Sequence, residues 1–360
     1  MTYSFRIRRL QKKRGVEKLI ELLRRSKNPE TKRQVTMALV SIGEPAVDKL
    51  VEALGDDDCE VQRNVITALG DIGDRRAVAP LIATLGDYHL RAFTVQALAN
   101  IGDAKAVEPL IRLSKTDRFF TPNHIVSATN GVIVEALKEL EVPSRPDIEV
   151  LRLIAINDWS SLVAMGDYAV GPLIETLKDT YKNYQIAFQC TEIVRTLSEI
   201  GEPAFEPLIE ALKSRNMLLR RDAAEVLGNI SDPRALRSLA AALMDPQGLV
   251  RKASAIAIQQ IESPEDPRIE TLCAIALEDW GKVASLGTEA VKPAIEALGL
   301  RNIGTISIIE VLGTIGDERA VQPLAEILDT WNEDIRNAAA ASLSMIGGPI
   351  TTSATPTRYT

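Results

Sequence analysis

Apolar residues recur along most of the chain at intervals of three and four, which places their side chains on one face of an α-helix. One such helix is predicted before Gly73, with the apolar positions Val61, Val65, Ile66, Ala68, Leu69 and Ile72. A shorter helix is predicted after it, with Val78, Leu81, Ile82 and Leu85 on one face. Gly73 suits the end of the first helix because glycine adopts positive φ at little cost. Asp74 suits the start of the second because its carboxylate can accept hydrogen bonds from free backbone N–H groups.

The segment that joins the two helices is repeated along the chain. It reads IGEPAVDKL from Ile42, IGDRRAVAPL from Ile72, IGDAKAVEPL from Ile101, MGDYAVGPL from Met165, IGEPAFEPL from Ile200, ISDPRALRSL from Ile230, LGTEAVKPA from Leu286 and IGDERAVQPL from Ile315. The prolines of this segment, such as Pro80 and Pro109, are expected in the first turn of the second helix, where a missing N–H costs little. A unit of about 30 residues cannot bury its own apolar faces, but stacked units can. The sequence therefore predicts an all-α fold, an α-α superhelix or α-solenoid of stacked helix-turn-helix repeats.

These residues resemble the HEAT-like repeats of the phycobilisome (PBS) lyase type. Such repeats have the form D-x-x-V-R-x-x-A-A-x-A-L-G-x-I-G-D, followed by A-V-x-P-L. The match is close over residues 219–228 and again over residues 335–340. It covers residues 15–347 and is weaker over 115–146 and 263–285.

The arginine of the Val-Arg pair stands at Arg91, Arg220, Arg251 and Arg336. Lys32 and Gln62 take its place in two other repeats. The resemblance implies that this arginine helps tie consecutive repeats together through hydrogen bonds, and we expect that structural role only where an arginine is present.

The repeats predict a division of the chain into segments. They are a basic N-terminal segment (1–14), HEAT-like repeats (15–115), an irregular joint or degenerate repeat (116–146), HEAT-like repeats with a first Asp-Trp block (147–262), HEAT-like repeats with a second Asp-Trp block (263–347) and a disordered tail (348–360). The two blocks match at a constant offset of 121 residues, which indicates an internal duplication. Trp159 and Trp280 are equivalent in the two blocks, so both are expected to be core residues.

Charge is distributed unevenly along the chain. Residues 1–33 carry a net charge of +9 and the rest carries −16, out of a total of −7. The basic segment could contact an acidic protein, a nucleic acid or a membrane surface, or it could be a charged cap that keeps the end of the stack soluble. Nucleic acid as the main ligand is disfavoured, because the acidic remainder would repel phosphates.

Glutamates follow the repeated leucine of the second helices by two positions. They are Glu21, Glu52, Glu175, Glu210, Glu296 and Glu326. Because second helices are expected to line the concave face, these residues would form a negative groove that attracts a basic partner. Glutamate is also a good helix former at exposed positions, which explains the recurrence equally well. Tyr181 and Tyr184 lie in an insertion that the second block lacks, which makes them candidates either for a partner contact or for a packed joint.

No catalytic or cofactor motif is present. The cysteines Cys59, Cys190 and Cys273 are far apart, so buried reduced thiols in a cytoplasmic protein are expected. The two histidines, His89 and His124, are followed by Leu90 and Ile125. They therefore lack the His-Glu motifs with which the HEAT-repeat hydroxylase of a modified lysine binds di-iron. We expect no metal, no cofactor and, since no apolar run reaches 18 residues, no membrane span.

Two functions remain open at this stage. The first is a non-catalytic scaffold that binds a protein partner, basic if the glutamates form a groove, along the concave face. The alternative, implied by the resemblance, is an accessory or chaperone-like subunit of a bilin (phycobilisome) lyase. A HEAT-like DNA glycosylase is disfavoured because it needs a basic groove.

Overall fold

A computed structural model describes residues 3–117, 125–140, 145–182, 187–262, 265–300 and 304–347. These residues form α-helices joined by short turns, and the predicted all-α repeat fold is confirmed. The chain divides into two compact units, Met1–Pro172 and Leu173–Thr360. The division falls in the first Asp-Trp block and not in the predicted joint at 116–146, of which residues 118–124 and 141–144 lie outside the described residues, as does the predicted tail.

Unit 1 is a series of helix pairs, in which an odd-numbered first helix is followed by an even-numbered second helix. Its helices are α1 (Tyr3–Lys12), α2 (Val16–Arg25), α3 (Pro29–Ile42), α4 (Val47–Glu52), α5 (Cys59–Ile72), α6 (Val78–Thr84), α7 (Arg91–Ile101), α8 (Val107–Asp117), α9 (Ile125–Glu139), α10 (Pro146–Ile156) and α11 (Trp159–Met165). Helix α12 (Asp167–Lys182) contains the division between the units.

Unit 2 continues the same alternation of first and second helices. Its helices are α13 (Ala187–Ile200), α14 (Phe205–Ala211), α15 (Met217–Ile230), α16 (Leu236–Ala242), α17 (Gly248–Ile261), α18 (Pro267–Ala276), α19 (Trp280–Ser285), α20 (Val291–Leu298), α21 (Thr305–Ile315), α22 (Val321–Ile327) and α23 (Glu333–Ile346).

The turn inside each repeat is built as the sequence predicts. Gly73 ends α5 in the left-handed conformation, with φ 76°. Asp74 then accepts a hydrogen bond from the backbone N–H of Arg76 at 2.9 Å and starts a short 3-10 turn that leads into α6. Pro80 lies in the first turn of α6, where the missing N–H has no intrahelical partner to lose.

First helices of consecutive regular repeats pack closely because small residues face one another. A side chain on Gly70 would place its Cβ 2.6 Å from the Cα of Ala97 in the next first helix. A side chain on Gly228 would likewise lie 2.7 Å from the Cα of Ala257. Second helices of these repeats approach one another much less closely.

Close packing of the first helices is thus a local feature of each unit. That the second helices line the concave face of the stack stays a prediction.

The two Asp-Trp units depart from this packing. Their first helices, α11 and α19, are short, and the second helices α18 and α20 approach each other instead. Trp159 and Trp280 each occupy the first position of these short helices, directly after the capping residues Asp158 and Asp279. Both rings are half-buried, so they border the core and are not fully inside it as predicted.

The core of each unit is a continuous aliphatic layer between first and second helices. In unit 1 the repeated leucines Leu19, Leu50, Leu81 and Leu110 are fully buried. In unit 2 Leu239 and Leu324 occupy the same place. Among the described residues, no helix is both long enough and apolar enough to cross a membrane.

Candidate functional site

The six glutamates of the predicted groove lie on second helices, and five of them are paired with a cation. Glu21 contacts Arg25 at 2.6 Å, Glu52 contacts Lys49 at 2.9 Å, Glu175 contacts Lys178 at 2.6 Å, Glu210 contacts Lys213 at 2.8 Å and Glu296 contacts Arg268 at 3.0 Å. Glu326 accepts a hydrogen bond from Gln322 at 3.1 Å. In the case of Glu21, hydrogen bonds from Arg25 and Arg24 hold the pKa of the carboxyl below its usual value.

These pairs reduce the negative field of the second-helix face. A partner would have to compete with an intramolecular cation at each of the five paired positions, and exposed pairs of this kind contribute little energy individually. The negative groove along the second helices stays a prediction.

Exposed hydrophobic side chains accumulate on the opposite layer. On the first helices the large apolar residues that are exposed are Phe5, Met37 and Phe93 in unit 1, and Met217, Leu249, Ile256, Ile306 and Met345 in unit 2. Among the described residues, the exposed large hydrophobic on a second helix is Tyr168 of α12. Apolar surface concentrated in this way is characteristic of interaction sites.

A groove in unit 1 runs between α3 and α5. It encloses about 600 Å³ and is lined by both helices, with the exposed Met37 on one side and Asn64 on the other. Inside it, the buried Lys32 pairs with Glu60 at 2.5 Å and the Thr36 hydroxyl contacts the Asn64 amide oxygen at 3.0 Å. The polar groups of this groove are therefore already satisfied by one another.

A groove in unit 2 runs between α15 and α17 and is more apolar. It encloses about 380 Å³. Leu249, Ala253 and Ile256 form an apolar stripe along α17, of which Leu249 is 53% and Ile256 42% exposed. The facing side carries Arg221 and Glu225 of α15. The residues named on each helix are three or four positions apart, so they lie on the same side of that helix. The groove can therefore accept an elongated apolar segment.

The side chain of Tyr181 contacts helix α15 and is not fully exposed to solvent. Its hydroxyl donates a hydrogen bond to Asp222 of α15, and the ring is half-buried. Arg221 contacts the other oxygen of the same carboxylate at 2.5 Å. This contact is the one expected of a packed joint, and Tyr184 lies outside the described residues.

The Asp222 carboxyl has an unusual environment for a charged group. Burial raises the pKa of Asp222 to about 8, and the neighbouring Glu225 acts in the same direction. Arg221 opposes this increase, but its side chain is 34% exposed while that of Asp222 is 1% exposed. We therefore take the effect of burial to be the larger one.

Asp222 should make the stability of unit 2 dependent on pH. Because its pKa is higher in the folded than in the unfolded chain, its contribution is fully present below pH 4 and is lost as the pH rises through about 8. We expect the free energy of unfolding to fall over this range by on the order of 1 kcal/mol or more. Urea titrations of wild type and Asp222→Asn test this, since the variant should lack that part of the slope. An unchanged slope in Asp222→Asn would show that folding does not raise the pKa of Asp222.

The four repeat arginines make equivalent hydrogen bonds. Each donates to the backbone carbonyl six residues before it, across the turn that joins one repeat to the next. The pairs are Arg91 to Leu85 at 3.0 Å, Arg220 to Ser214 at 2.7 Å, Arg251 to Asp245 at 2.7 Å and Arg336 to Thr330 at 2.8 Å. Arg220 also forms a two-pronged ion pair with the Asp245 carboxylate, at 2.7 and 2.9 Å.

A second connection between repeats was missed in the sequence. Arg319 pairs with Asp317 at 2.9 Å and donates to the carbonyl of Thr288 in the preceding repeat at 2.7 Å. Arg76 does the same with Asp74 and with the carbonyl of Glu44. Hydrogen bonds from the side chain and the backbone N–H of Arg319 lower the pKa of Asp317 to about 2. In the sequence, this connection could have been recognised from an Asp-x-Arg pattern that directly follows the glycine at the end of the first helix, as in Asp74 to Arg76 and Asp317 to Arg319.

The described residues contain no group of three or more His, Cys, Asp and Glu side chains arranged to hold a metal ion. His89 is exposed, and His124 lies outside the described residues. Cys190 and Cys273 are buried free thiols, while Cys59 is only half-buried. Burial raises the pKa of Cys273 to about 12.

Fold and site together define an all-helical repeat protein with grooves between neighbouring first helices. The chain belongs to the HEAT-repeat family: the HEAT repeats model matches residues 16–89, 47–121, 172–259 and 205–292. The model of the PBS lyase HEAT-like repeat matches residues 306–330.

Several known proteins are similar to this chain. An uncharacterized phycocyanin operon protein Z from Pseudanabaena tenuis (strain PCC 7409) is 28% identical over 169 residues, which span 43% of this chain and 72% of that protein. The complex of CpcE and CpcF of phycocyanin lyase from Nostoc sp. PCC7120 is 23% identical, covers 72% of this chain and 93% of its own, and has a TM-score of 0.26. Human deoxyhypusine hydroxylase in complex with glycerol is 18% identical and has a TM-score of 0.26. The match covers 93% of this chain and 96% of the hydroxylase chain.

Proposed function

We propose that this protein is a scaffold that binds a protein partner along its first-helix layer, with the α15–α17 groove as the main contact in unit 2. The observation that supports this most strongly is the apolar stripe of Leu249, Ala253 and Ile256, which lies open to solvent in a groove. Aliphatic side chains in such a position gain free energy when a partner removes them from water.

The charges of the groove favour a specific orientation of the bound segment. Arg221 and Glu225 are one turn apart on α15, and Lys252 lies across from them on α17. A partner with apolar residues at helical spacing and charges at its edges would match both features. Charges at the edge of such an interface set orientation and association rate more than affinity.

The partner class is a separate part of the proposal. The PBS lyase HEAT-like repeat at residues 306–330 and the similarity to a phycocyanin operon protein favour a phycobiliprotein as partner. In that case the scaffold would be an accessory or chaperone-like subunit in bilin attachment. The basic partner predicted from the glutamate row remains the alternative.

Affinity capture from native lysate at low and high salt, with quantitative mass spectrometry, tests the proposal. The double variant Leu249→Asp/Ile256→Asp should lose at least tenfold of the captured partner, while Glu175→Gln/Glu210→Gln on the second helices should retain it. If Leu249→Asp/Ile256→Asp retains the partner and Glu175→Gln/Glu210→Gln loses it, the binding surface lies on the second helices. A recovered phycobiliprotein supports the accessory role, and a basic protein that is lost at high salt supports the alternative.

A further inference from the structure

Helix α1 carries a cluster of cations without an acidic partner among the residues that the structure describes. Arg6, Arg8, Arg9 and Lys12 are exposed, as are Lys13 and Arg14 directly after the helix. None of these six groups forms an ion pair with a described carboxylate, in contrast to Arg24 and Arg25 of the next helix, which both contact Glu21. We call residues 6–14 the basic helix end.

The basic helix end is not arranged to insert into a membrane. An interfacial helix needs a free apolar face, but Ile7 of α1 is buried in the core of unit 1 and Leu10 packs against the same core. Phe5, 56% exposed, is the large apolar side chain of α1 that the structure leaves open among its described residues. The cations therefore form a surface suited to a folded, acidic partner.

A complementary surface surrounds Trp331 between α22 and α23. The indole is 90% exposed, the highest value among the large hydrophobic residues described. Glu326, Asp329, Glu333 and Asp334 flank it, and all four are exposed. Residues 326–334 contain no basic residue, and none of these carboxylates forms an ion pair with a cation of the described chain. We call residues 326–334 the acidic loop.

We propose that the basic helix end of one molecule binds the acidic loop of a second copy, so that the protein associates head to tail. The chemistry matches in two respects. The unpaired cations of α1 meet the unpaired carboxylates around Trp331, and an arginine of α1 can stack on the indole, the aromatic ring that attracts cations most strongly.

This contact is heterologous, because two different surfaces of the same chain meet. A dimer formed in this way leaves one basic helix end and one acidic loop free, so association can continue beyond the dimer. Since the surfaces are exposed, the attraction should be long-ranged at low ionic strength and weak at high ionic strength.

The test is sedimentation equilibrium of the full chain and three charge variants. Wild type should exceed its monomer mass of 39.3 kDa at about 50 mM NaCl and return to it at about 500 mM, where the Debye length falls to about 4 Å. The variants Arg6→Glu/Arg8→Glu/Arg9→Glu and Glu326→Lys/Asp329→Lys/Glu333→Lys should each remain monomeric at low salt. Circular dichroism confirms that each variant is folded.

Two further measurements make the proposal specific. An equimolar mixture of the two variants should form a one-to-one dimer, because only one matched pair of surfaces remains. The variant that combines all six substitutions keeps the net charge of −7 but should stay monomeric, because residues 6–14 then carry no net charge and residues 326–334 carry +2. Trp331→Ser should weaken association at least threefold.

Several outcomes would overturn the proposal. They are a monomeric wild type at low salt, a mixture that stays monomeric, or a combined variant that associates as wild type does. Binding of α1 to DNA or to anionic vesicles that persists while self-association is absent would assign the basic helix end to those ligands instead.

Discussion

Replacing Leu81 by alanine is expected to lower the free energy of unfolding by about 2–5 kcal/mol. Leu81 is fully buried in α6, where it fills the space between second and first helices of unit 1. Its truncation leaves a cavity that close-packed neighbours can only partly fill. Urea denaturation followed by circular dichroism measures the loss.

The same variant tests how far repeats act independently. In a repeat protein stability is close to a sum of unit and nearest-neighbour terms, so amide exchange should accelerate around α5–α7 before it does in α21–α23. Met37→Ala, at a side chain that is 56% exposed, is the matched control and should change stability by about 0.5 kcal/mol or less. Equal acceleration along the whole chain would contradict a stack of locally coupled repeats.

Replacing Arg220 by methionine is expected to cost about 3–5 kcal/mol, because it leaves the Asp245 carboxylate buried without its cation. The two side chains are 12% and 9% exposed and form two hydrogen bonds at 2.7 and 2.9 Å. The bond from Arg220 to the Ser214 carbonyl is lost as well. Thermal and urea unfolding of the full chain measure the effect.

A double-mutant cycle separates the ion pair from simple loss of packing. Arg220→Met/Asp245→Asn should be more stable than Arg220→Met alone, because asparagine removes the unpaired charge and can still accept the hydrogen bond from the Gln247 N–H. Arg215→Met, at an exposed position nearby, is the control and should have little effect. Additive losses in the cycle would show that the two residues act separately.

The elements that follow local rules could be predicted from the sequence. Gly73 and Asp74 specify the turn because glycine favours positive φ and aspartate caps a helix start, whatever packs around them. Leu81 was assigned to the core because the period of apolar residues depends only on helix geometry. The repeat fold follows from these local features taken together.

The proposed binding surface could not be predicted in the same way. The lysines three positions after Glu175 and Glu210 were visible in the sequence, and they indicated intrahelical pairing instead of a free negative row. Leu249 and Ile256 have the same spacing as core residues. Their exposure depends on the distance between α15 and α17, which is short at Gly228. The period of apolar residues in the sequence gives no information on that distance.

Photo-cross-linking from the first-helix layer tests the central claim most directly. A photoreactive p-benzoylphenylalanine is placed at Ile256 of α17 or at Glu210 of α14, both exposed side chains, and each protein is irradiated in native lysate. We expect a discrete cross-linked partner from position 256 and none from position 210. A discrete partner from position 210, with none from position 256, would contradict it.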